Sequence, residues 1–188
     1  SGEDALEPCL LLSVERRATY GTETAVLRRY LFDAPEELVR FCGSHQLKLG
    51  KLAAVFATSG RGALGLSETI LAAAEQGIPR LHVRGPPGTV HFARAVTGTL
   101  GNPRAMSVLA AHATPGREAL CYEDEHLQVW AVEPPGRTVE AAEEGPRKRH
   151  RSGPPGVCYR VQLRLGGAGL LVCPRGAASA AQRDGQAE

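Results

Sequence analysis

Three glycines, Gly60, Gly62 and Gly65, stand at the spacing G-x-G-x-x-G. They follow an apolar run at residues 52–57 and precede an apolar-periodic stretch at residues 66–76, so the pattern lies between a predicted strand and a predicted helix. In this context glycines let the backbone approach a pyrophosphate, and the helix N-terminus supplies N–H donors with partial positive charge. One hypothesis is therefore a nucleotide-binding enzyme.

The following strand argues against a dinucleotide site. This strand covers residues 80–83, and its end, Val83-Arg84-Gly85, has no carboxylate that could bind a ribose. Arg84 at this position fits at best a 2′-phosphate. The glycine pattern also lies in the middle of the chain, after two predicted strands and a predicted helix. A purely structural turn, or a site of another kind, therefore stays open.

A second chemistry-bearing segment is basic. Arg147, Lys148, Arg149 and Arg151 lie with His150 in one uninterrupted run. Cations at this density bind RNA phosphates through charge-assisted contacts and counterion release. Three glutamates lie just before the run, so a solvated loop is an alternative, and a nuclear targeting signal is another. No aromatic side chain interrupts the run, and base stacking is not indicated.

The composition fits a folded domain. The chain has 188 residues, of which 43% are hydrophobic and 22% charged, and its net charge of +2 does not by itself indicate nucleic-acid binding. Its five cysteines are scattered without a C-x-x-C pair, which predicts neither a zinc knuckle nor a disulfide framework and favours a reducing intracellular compartment. Because no apolar run approaches the ~20 residues that cross a bilayer, no membrane partner is expected.

The elements that position these segments follow from apolar patterning. Two strands open the domain as a hairpin and lead into a helix, after which strands and helices alternate. The predicted strands cover residues 9–14, 24–32, 52–57, 80–83, 105–111, 127–132, 157–165 and 170–173, and the predicted helices cover residues 36–47, 66–76 and 89–96. An acidic turn is predicted over residues 122–125. Together these elements predict an α/β domain with a mixed sheet.

The composition also predicts the domain boundaries. Residues 1–8 are expected to be a loose lead-in, residues 9–175 the domain, and residues 176–188 a disordered tail. Residues 134–155 consist of Pro, Gly, Glu, Lys and Arg with almost nothing apolar. This insertion is predicted to be a flexible arm that carries the basic run.

Three smaller features have structural interpretations. Asp33 and Glu36 are either a carboxylate pair in a cleft or a helix cap, and the cap is favoured because Pro35 and acidic residues begin helices well. His82 is expected on a strand, in the core or on a sheet face. Cys158 and Cys173 are expected to pack as small apolar side chains on their strands.

Several short segments also have a specific order and spacing. They are Arg29-Tyr30-Leu31-Phe32-Asp33, Gly65-Leu66-Ser67, Leu81-His82-Val83 with Gly85-Pro86-Pro87, Tyr122-Glu123-Asp124-Glu125 and Val157-Cys158-Tyr159-Arg160-Val161. In this order they resemble the amino-terminal, non-catalytic half of long-form ribonuclease Z, or tRNase Z, the tRNA 3′-processing endoribonuclease of the metallo-β-lactamase superfamily. The resemblance covers most of residues 9–173.

The resemblance implies a metallo-β-lactamase-like, αββα mixed-sheet fold, here incomplete and carrying the arm as an insertion. In a catalytic member Thr58 would be followed by H-x-H-x-D-H, which binds two zinc ions. This chain has Ser59, Gly60, Arg61, Gly62 and Ala63 there, a degenerate zinc-motif turn without a ligand. No catalysis and no cofactor are therefore expected of this chain alone, and zinc is expected only in a catalytic half.

The implied function is tRNA 3′-end processing, in which this domain binds precursor tRNA, supports a catalytic zinc-dependent half in cis or in trans, or does both. The arm would contact RNA through Arg147, Lys148, Arg149 and Arg151. The chain is expected to be part of a tRNA 3′ endoribonuclease located in the nucleus, the mitochondrion or both, and whether it is a fragment of a longer protein stays open. Two alternatives stay open: a free-standing pseudoenzyme that serves as a protein-interaction module, and a nucleotide-binding enzyme that uses the three glycines.

Overall fold

The computed structural model describes residues 8–17, 24–99, 106–116, 119–134, 156–164 and 169–173. All but one residue of the predicted lead-in, nearly all of the predicted arm and the whole predicted tail lie outside these ranges. The domain boundaries drawn from the sequence therefore stay predictions.

The described residues form nine strands, three α-helices and one turn of 3₁₀ helix, Arg61–Ala63. In chain order the elements are β1 (Leu10–Arg17), β2 (Thr24–Phe32), α1 (Leu38–Ser44), β3 (Leu52–Phe56), α2 (Leu66–Glu75), β4 (Arg80–Gly85), α3 (Pro87–Thr99), β5 (Ser107–His112), β6 (Ala119–Glu123), β7 (Leu127–Val132), β8 (Cys158–Leu163) and β9 (Gly169–Val172). The chain divides into two compact units, Ser1–Ala113 and Thr114–Glu188.

The first unit contains a five-stranded sheet in the order β1-β2-β3-β4-β5. Strands β1 and β2 are antiparallel, and β2, β3, β4 and β5 run parallel to one another. All five residues of β3 are buried, which explains why this strand reads as an unbroken apolar run rather than as an alternation. The hydrophobic core lies on one face of this sheet, where Val55 and Val83 pack with Leu66 and Ile70 of α2.

The backbone conformations of residues at the helix ends explain where the helices begin and end. Helix α2 buries Leu66, Ile70 and Ala73, spaced as one apolar face, and is followed by Gly77 in the left-handed conformation (φ 72°). Helix α3 begins at Pro87, whose fixed φ suits the first helical position. Helix α1 is shorter than predicted because Glu37 has a φ of 64°, so the helix begins only at Leu38.

The second unit contains an antiparallel sheet in the order β6-β7-β8-β9. Strand β7 alternates as a strand with one buried face should: Leu127, Val129 and Ala131 are buried, and the residues between them are partly exposed. Strand β6 was not predicted from the sequence. Its last residue is Glu123, so the acidic turn lies at residues 124–126 rather than at residues 122–125.

The turn between β6 and β7 is an Asx turn. The Asp124 carboxylate accepts hydrogen bonds from the N–H groups of His126 (2.9 Å) and Leu127 (3.0 Å), which reverses the chain without a glycine.

The two sheets together confirm the predicted mixed α/β class. None of the helices in the described ranges has both the length and the apolar character that a membrane-spanning helix requires.

Candidate functional site

The candidate site lies where the parallel strands of the first unit end. The residues that follow β2, β3, β4 and β5 meet at one edge of the sheet: Asp33, Ala57, Pro86 and Ala113, with Thr58 next after Ala57. The Asp33 N–H donates to the Phe56 carbonyl (2.8 Å), so the ends of β2 and β3 are held together. In open α/β sheets this carboxyl edge is the usual place for a ligand.

The turn from β3 to α2 contains all five residues predicted to form the degenerate zinc-motif turn: Ser59, Gly60, Arg61, Gly62 and Ala63. The Gly62 N–H donates to the Ser59 hydroxyl (3.2 Å), so the serine side chain closes the turn on itself. Gly60 and Arg61 are exposed, whereas Gly62 and Ala63 are buried. The turn therefore has one buried side and one side that faces solvent.

The buried side of this turn is packed against the end of β2. The Ala34 N–H donates to the Gly62 carbonyl (2.6 Å), and the Gly65 N–H donates to the Ala34 carbonyl (2.7 Å). A Cβ at Gly65 would lie 1.9 Å from the Pro35 carbonyl oxygen, and one at Gly62 would lie 1.9 Å from Oδ1 of Asp33. Only glycine fits at these two positions, because another segment of the same chain already occupies the space.

This packing bears on the nucleotide-binding alternative. A pyrophosphate site needs glycines so that backbone N–H groups can approach the ligand closely. Here Gly62 and Gly65 are explained by residues 33–35, and a Cβ at Gly60 would meet nothing within 4 Å. The spacing that motivated the alternative therefore has a structural cause within the chain.

Asp33 connects the end of β2 to the turn. Its carboxylate accepts hydrogen bonds from the N–H (2.7 Å) and the hydroxyl (2.8 Å) of Thr58, which is only 1% exposed. Helix α1 has Glu37 as its N-cap residue, and no side chain makes a capping hydrogen bond there. The prediction that Asp33 and Glu36 cap a helix is therefore wrong, since Asp33 binds a buried threonine instead.

Two thiols, Cys9 and Cys42, are neighbours, and Cys9 also lies near Asp33. Burial raises the pKa of the Cys9 thiol, and the neighbouring Cys42 and the Asp33 carboxylate raise it further. Burial also raises the pKa of Cys42, although the charge of Arg29 partly offsets this effect. Both thiols are therefore protonated near neutral pH, a state in which cysteine is neither a nucleophile nor a good metal ligand.

The residues of the turn do not fit zinc. None of the five offers imidazole, thiolate or carboxylate, and Arg61 adds a positive charge. A ligating side chain at position 62 would collide with Asp33. Across the described ranges, no group of three or more His, Cys, Asp or Glu side chains is placed to hold a metal ion.

The structure brings two histidines together at this edge. The rings of His91 in α3 and His112 at the end of β5 lie 6.0 Å apart in an edge-to-face arrangement, and both residues are exposed. Sequence spacing did not pair them, because the contact depends on α3 packing beside β5. His82 lies on the sheet, as predicted, with Nδ1 3.5 Å from a guanidinium nitrogen of Arg84.

The sheet of the second unit carries an exposed cross-strand row that the sequence did not reveal. Leu120, Trp130, Arg160 and Leu171 are successive partners across β6, β7, β8 and β9. The Arg160 guanidinium lies 4.6 Å from the centre of the Trp130 ring, a cation–π contact. Leu120 and Leu171 are 45% and 54% exposed, so the row ends in open apolar side chains.

The basic residues Arg147, Lys148, Arg149 and Arg151 lie outside the described residues, as does His150. Strands β7 and β8, which pair with each other, bracket the segment that contains them. Their role in binding RNA stays a prediction.

The chain is similar in structure to two ribonucleases Z. The match to human tRNase Z, short form, has a TM-score of 0.58 at 16% identity and covers 86% of this chain and 61% of that one. The match to a long-form RNase Z from yeast has a TM-score of 0.55 at 14% identity and covers 84% of this chain and 24% of that one. No protein-family model matches the chain, and no curated protein matches it significantly.

These likenesses show the fold. The predicted metallo-β-lactamase-like mixed α/β fold is confirmed by its similarity to the two ribonucleases Z. The chain spans less than two thirds of the length of either protein.

Proposed function

We propose that this chain is a non-catalytic ribonuclease Z-like domain, equivalent to the amino-terminal half of the long form, which binds precursor tRNA during 3′-end processing. One observation carries the proposal. The chain is similar in fold to two ribonucleases Z, and the turn that the sequence resemblance aligns with the zinc motif of that family has no imidazole, thiolate or carboxylate and is packed against residues 33–35.

The residues and packing of the β3–α2 turn support a non-catalytic role for this domain. Zinc hydrolases need imidazole and carboxylate ligands around an open coordination position. The β3–α2 turn offers Ser59 and Arg61 on its accessible side and fills its other side with main chain. Hydrolysis is therefore assigned to a catalytic half, in cis or in trans, and this domain supports that half.

Substrate binding is assigned to the arm at residues 134–155. Arg147, Lys148, Arg149 and Arg151 supply four cations within one short run, and each phosphate that such a cation neutralises releases a counterion. In the chain, this segment lies between β7 and β8, which pair with each other. The partners proposed are precursor tRNA and the catalytic half, in the nucleus, the mitochondrion or both.

The test measures the affinity of the purified chain for precursor tRNA at several salt concentrations. Replacing Arg147, Lys148, Arg149 and Arg151 with alanine should weaken binding by at least about tenfold. It should also reduce the slope of log K against log salt by up to about 3, because as many as four phosphate contacts are lost.

The matched control removes the same number of charges elsewhere. Arg16, Arg17, Arg28 and Arg80 are all exposed, and their replacement with alanine should change the affinity by less than about threefold. Equal losses in the two variants would reject the arm as the binding element. If the unaltered chain bound no precursor tRNA even at low salt, the proposed function itself would be rejected.

A second candidate, a protein-interaction module, is favoured by the exposed row on the second unit. Leu120 and Leu171 flank the Trp130–Arg160 pair, and aromatic and arginine side chains are enriched at protein interfaces. This candidate predicts that Leu171→Asp abolishes association with a protein partner and leaves RNA affinity unchanged. A parallel fall in RNA affinity would instead assign the row to RNA.

A further inference from the structure

Two cysteines of the second unit face each other across neighbouring strands. Strands β8 and β9 are antiparallel, and Tyr159 is paired with Val172. The next step along the same register places Cys158, the first residue of β8, opposite Cys173, the residue that follows β9. Directly opposite residues of an antiparallel pair have Cβ atoms about 4.5–5.5 Å apart, close to the separation of about 3.5–4.5 Å that a disulfide requires.

The two side chains are already in contact. Both are free thiols, and a hydrogen bond joins them. Cys158 is completely buried, whereas Cys173 is partly exposed at the end of the edge strand. Burial and the hydrogen bond to Cys173 raise the pKa of Cys158 to about 12, so Cys158 is protonated near neutral pH and Cys173 is the sulfur that an oxidant in solution can reach.

We propose that Cys158 and Cys173 form a reversible disulfide that closes the β8–β9 hairpin under oxidising conditions. This redox site is independent of the proposed RNA-binding function, because it rests on strand register and thiol contact alone. The disulfide also gives a chemical role to two cysteines that were predicted from the sequence only to pack as apolar side chains.

The oxidant is a low-molecular-weight disulfide, such as oxidised glutathione. The Cys173 thiolate attacks one sulfur of the glutathione disulfide, breaks its S–S bond and releases one glutathione, leaving a mixed disulfide on Cys173. The Cys158 sulfur then gives up its proton, attacks the Cys173 sulfur and releases the second glutathione. One S–S bond has formed, and the two electrons and two protons have passed to two molecules of glutathione.

The site of the bond gives it a structural effect. Strand β9 is four residues long and lies at the edge of its sheet, and Leu170 and Leu171 are exposed. A short edge strand with few buried side chains opens more easily than the centre of a sheet. A covalent bond between its end and β8 restricts this opening and constrains the unfolded chain as well.

The test treats the full chain with oxidised glutathione and maps disulfides by mass spectrometry of its peptides. We expect one linked peptide that contains Cys158 and Cys173, a rise in Tm of about 5 °C or more, and slower amide exchange in β9. Reduction should reverse all three changes. The peptide map needs no variant, so its result does not depend on how any substitution folds.

Two variants serve as controls. Cys173→Ser should abolish both the linked peptide and the rise in Tm, whereas Cys9→Ser should leave both unchanged. A link between Cys9 and Cys42 in place of the expected one, or a stable mixed disulfide on Cys173 that Cys158 never resolves, would overturn the proposal.

Discussion

Two glycine-containing turns leave the same edge of the first sheet, and they differ in what their glycines face. In the β3–α2 turn, Gly62 and Gly65 lie against residues 33–35, which follow a different strand, β2. In the β4–α3 turn, the three atoms nearest to a Cβ at Gly85 would all belong to the side chain of Thr89, four residues further on, and a Cβ at Gly88 would meet nothing within 4 Å. The first turn is constrained by tertiary packing and the second by local contacts.

The comparison shows that the spacing of glycines in a turn does not by itself identify what lies against them. In sequence, the β3–α2 turn matches a phosphate-binding pattern, because glycines mark the places where something approaches the backbone closely. The structure identifies what approaches: the chain itself, through Ala34 and Pro35. The turn organises the fold, and the proposed function lies in the arm of the second unit.

The largest effect is expected from Gly65→Ala. The added Cβ would lie 1.9 Å from the Pro35 carbonyl oxygen, and neither of these backbone segments can move without breaking the hydrogen bond to Ala34. We expect a loss of at least about 3 kcal/mol in the free energy of unfolding, measured by urea denaturation. Gly60→Ala is the control in the same turn: its φ of −62° suits alanine and the space is open, so stability should not fall and should gain at most about 1 kcal/mol. Equal stability of the two variants would contradict the packing described.

A smaller effect is expected from Asp33→Ala. The buried N–H and hydroxyl of Thr58 would lose their acceptors, at a cost of about 2–4 kcal/mol in the free energy of unfolding. Asp33→Asn should cost less, because the amide oxygen still accepts the N–H, and asparagine tolerates the φ of 60° at this position. Thermal and urea unfolding of both variants measure this order. An alanine variant as stable as the asparagine variant would show that the contact contributes nothing.

The smallest effect is expected from Gly88→Ala in the second turn. Gly88 is the second residue of α3, and nothing lies near the position of its Cβ. Alanine there should raise the free energy of unfolding by about 0.4–1 kcal/mol, because it reduces the entropy of the unfolded chain. A loss of stability would mean that the β4–α3 turn is as constrained as the β3–α2 turn, which would remove the contrast between them.

Local patterning predicted the centre of the first unit well. The strand expected at residues 52–57 is Leu52–Phe56, and the helix expected at residues 66–76 is Leu66–Glu75. The strand is an unbroken apolar run, the helix has a periodic apolar face, and turn residues flank both segments. Strand β6 was missed because its last residues run into an acidic cluster that reads as a turn.

The contacts that define the site were not predictable in the same way. Asp33 and Thr58 are 25 positions apart and meet only because β2 and β3 are neighbours in the sheet. Trp130 and Arg160 meet through the register of β7 and β8. Sequence periodicity describes which face a side chain occupies, but pairing between distant strands depends on the whole fold.

The most direct test of the account measures binding and cleavage in one sample. The purified chain is incubated with Zn²⁺ and a labelled precursor tRNA that carries a 3′ trailer, and the bound and cleaved fractions are read together. We expect saturable binding that weakens steeply with salt while the RNA stays intact. Zinc-dependent cleavage of the trailer by this chain alone, or the absence of binding at low salt, would contradict this expectation.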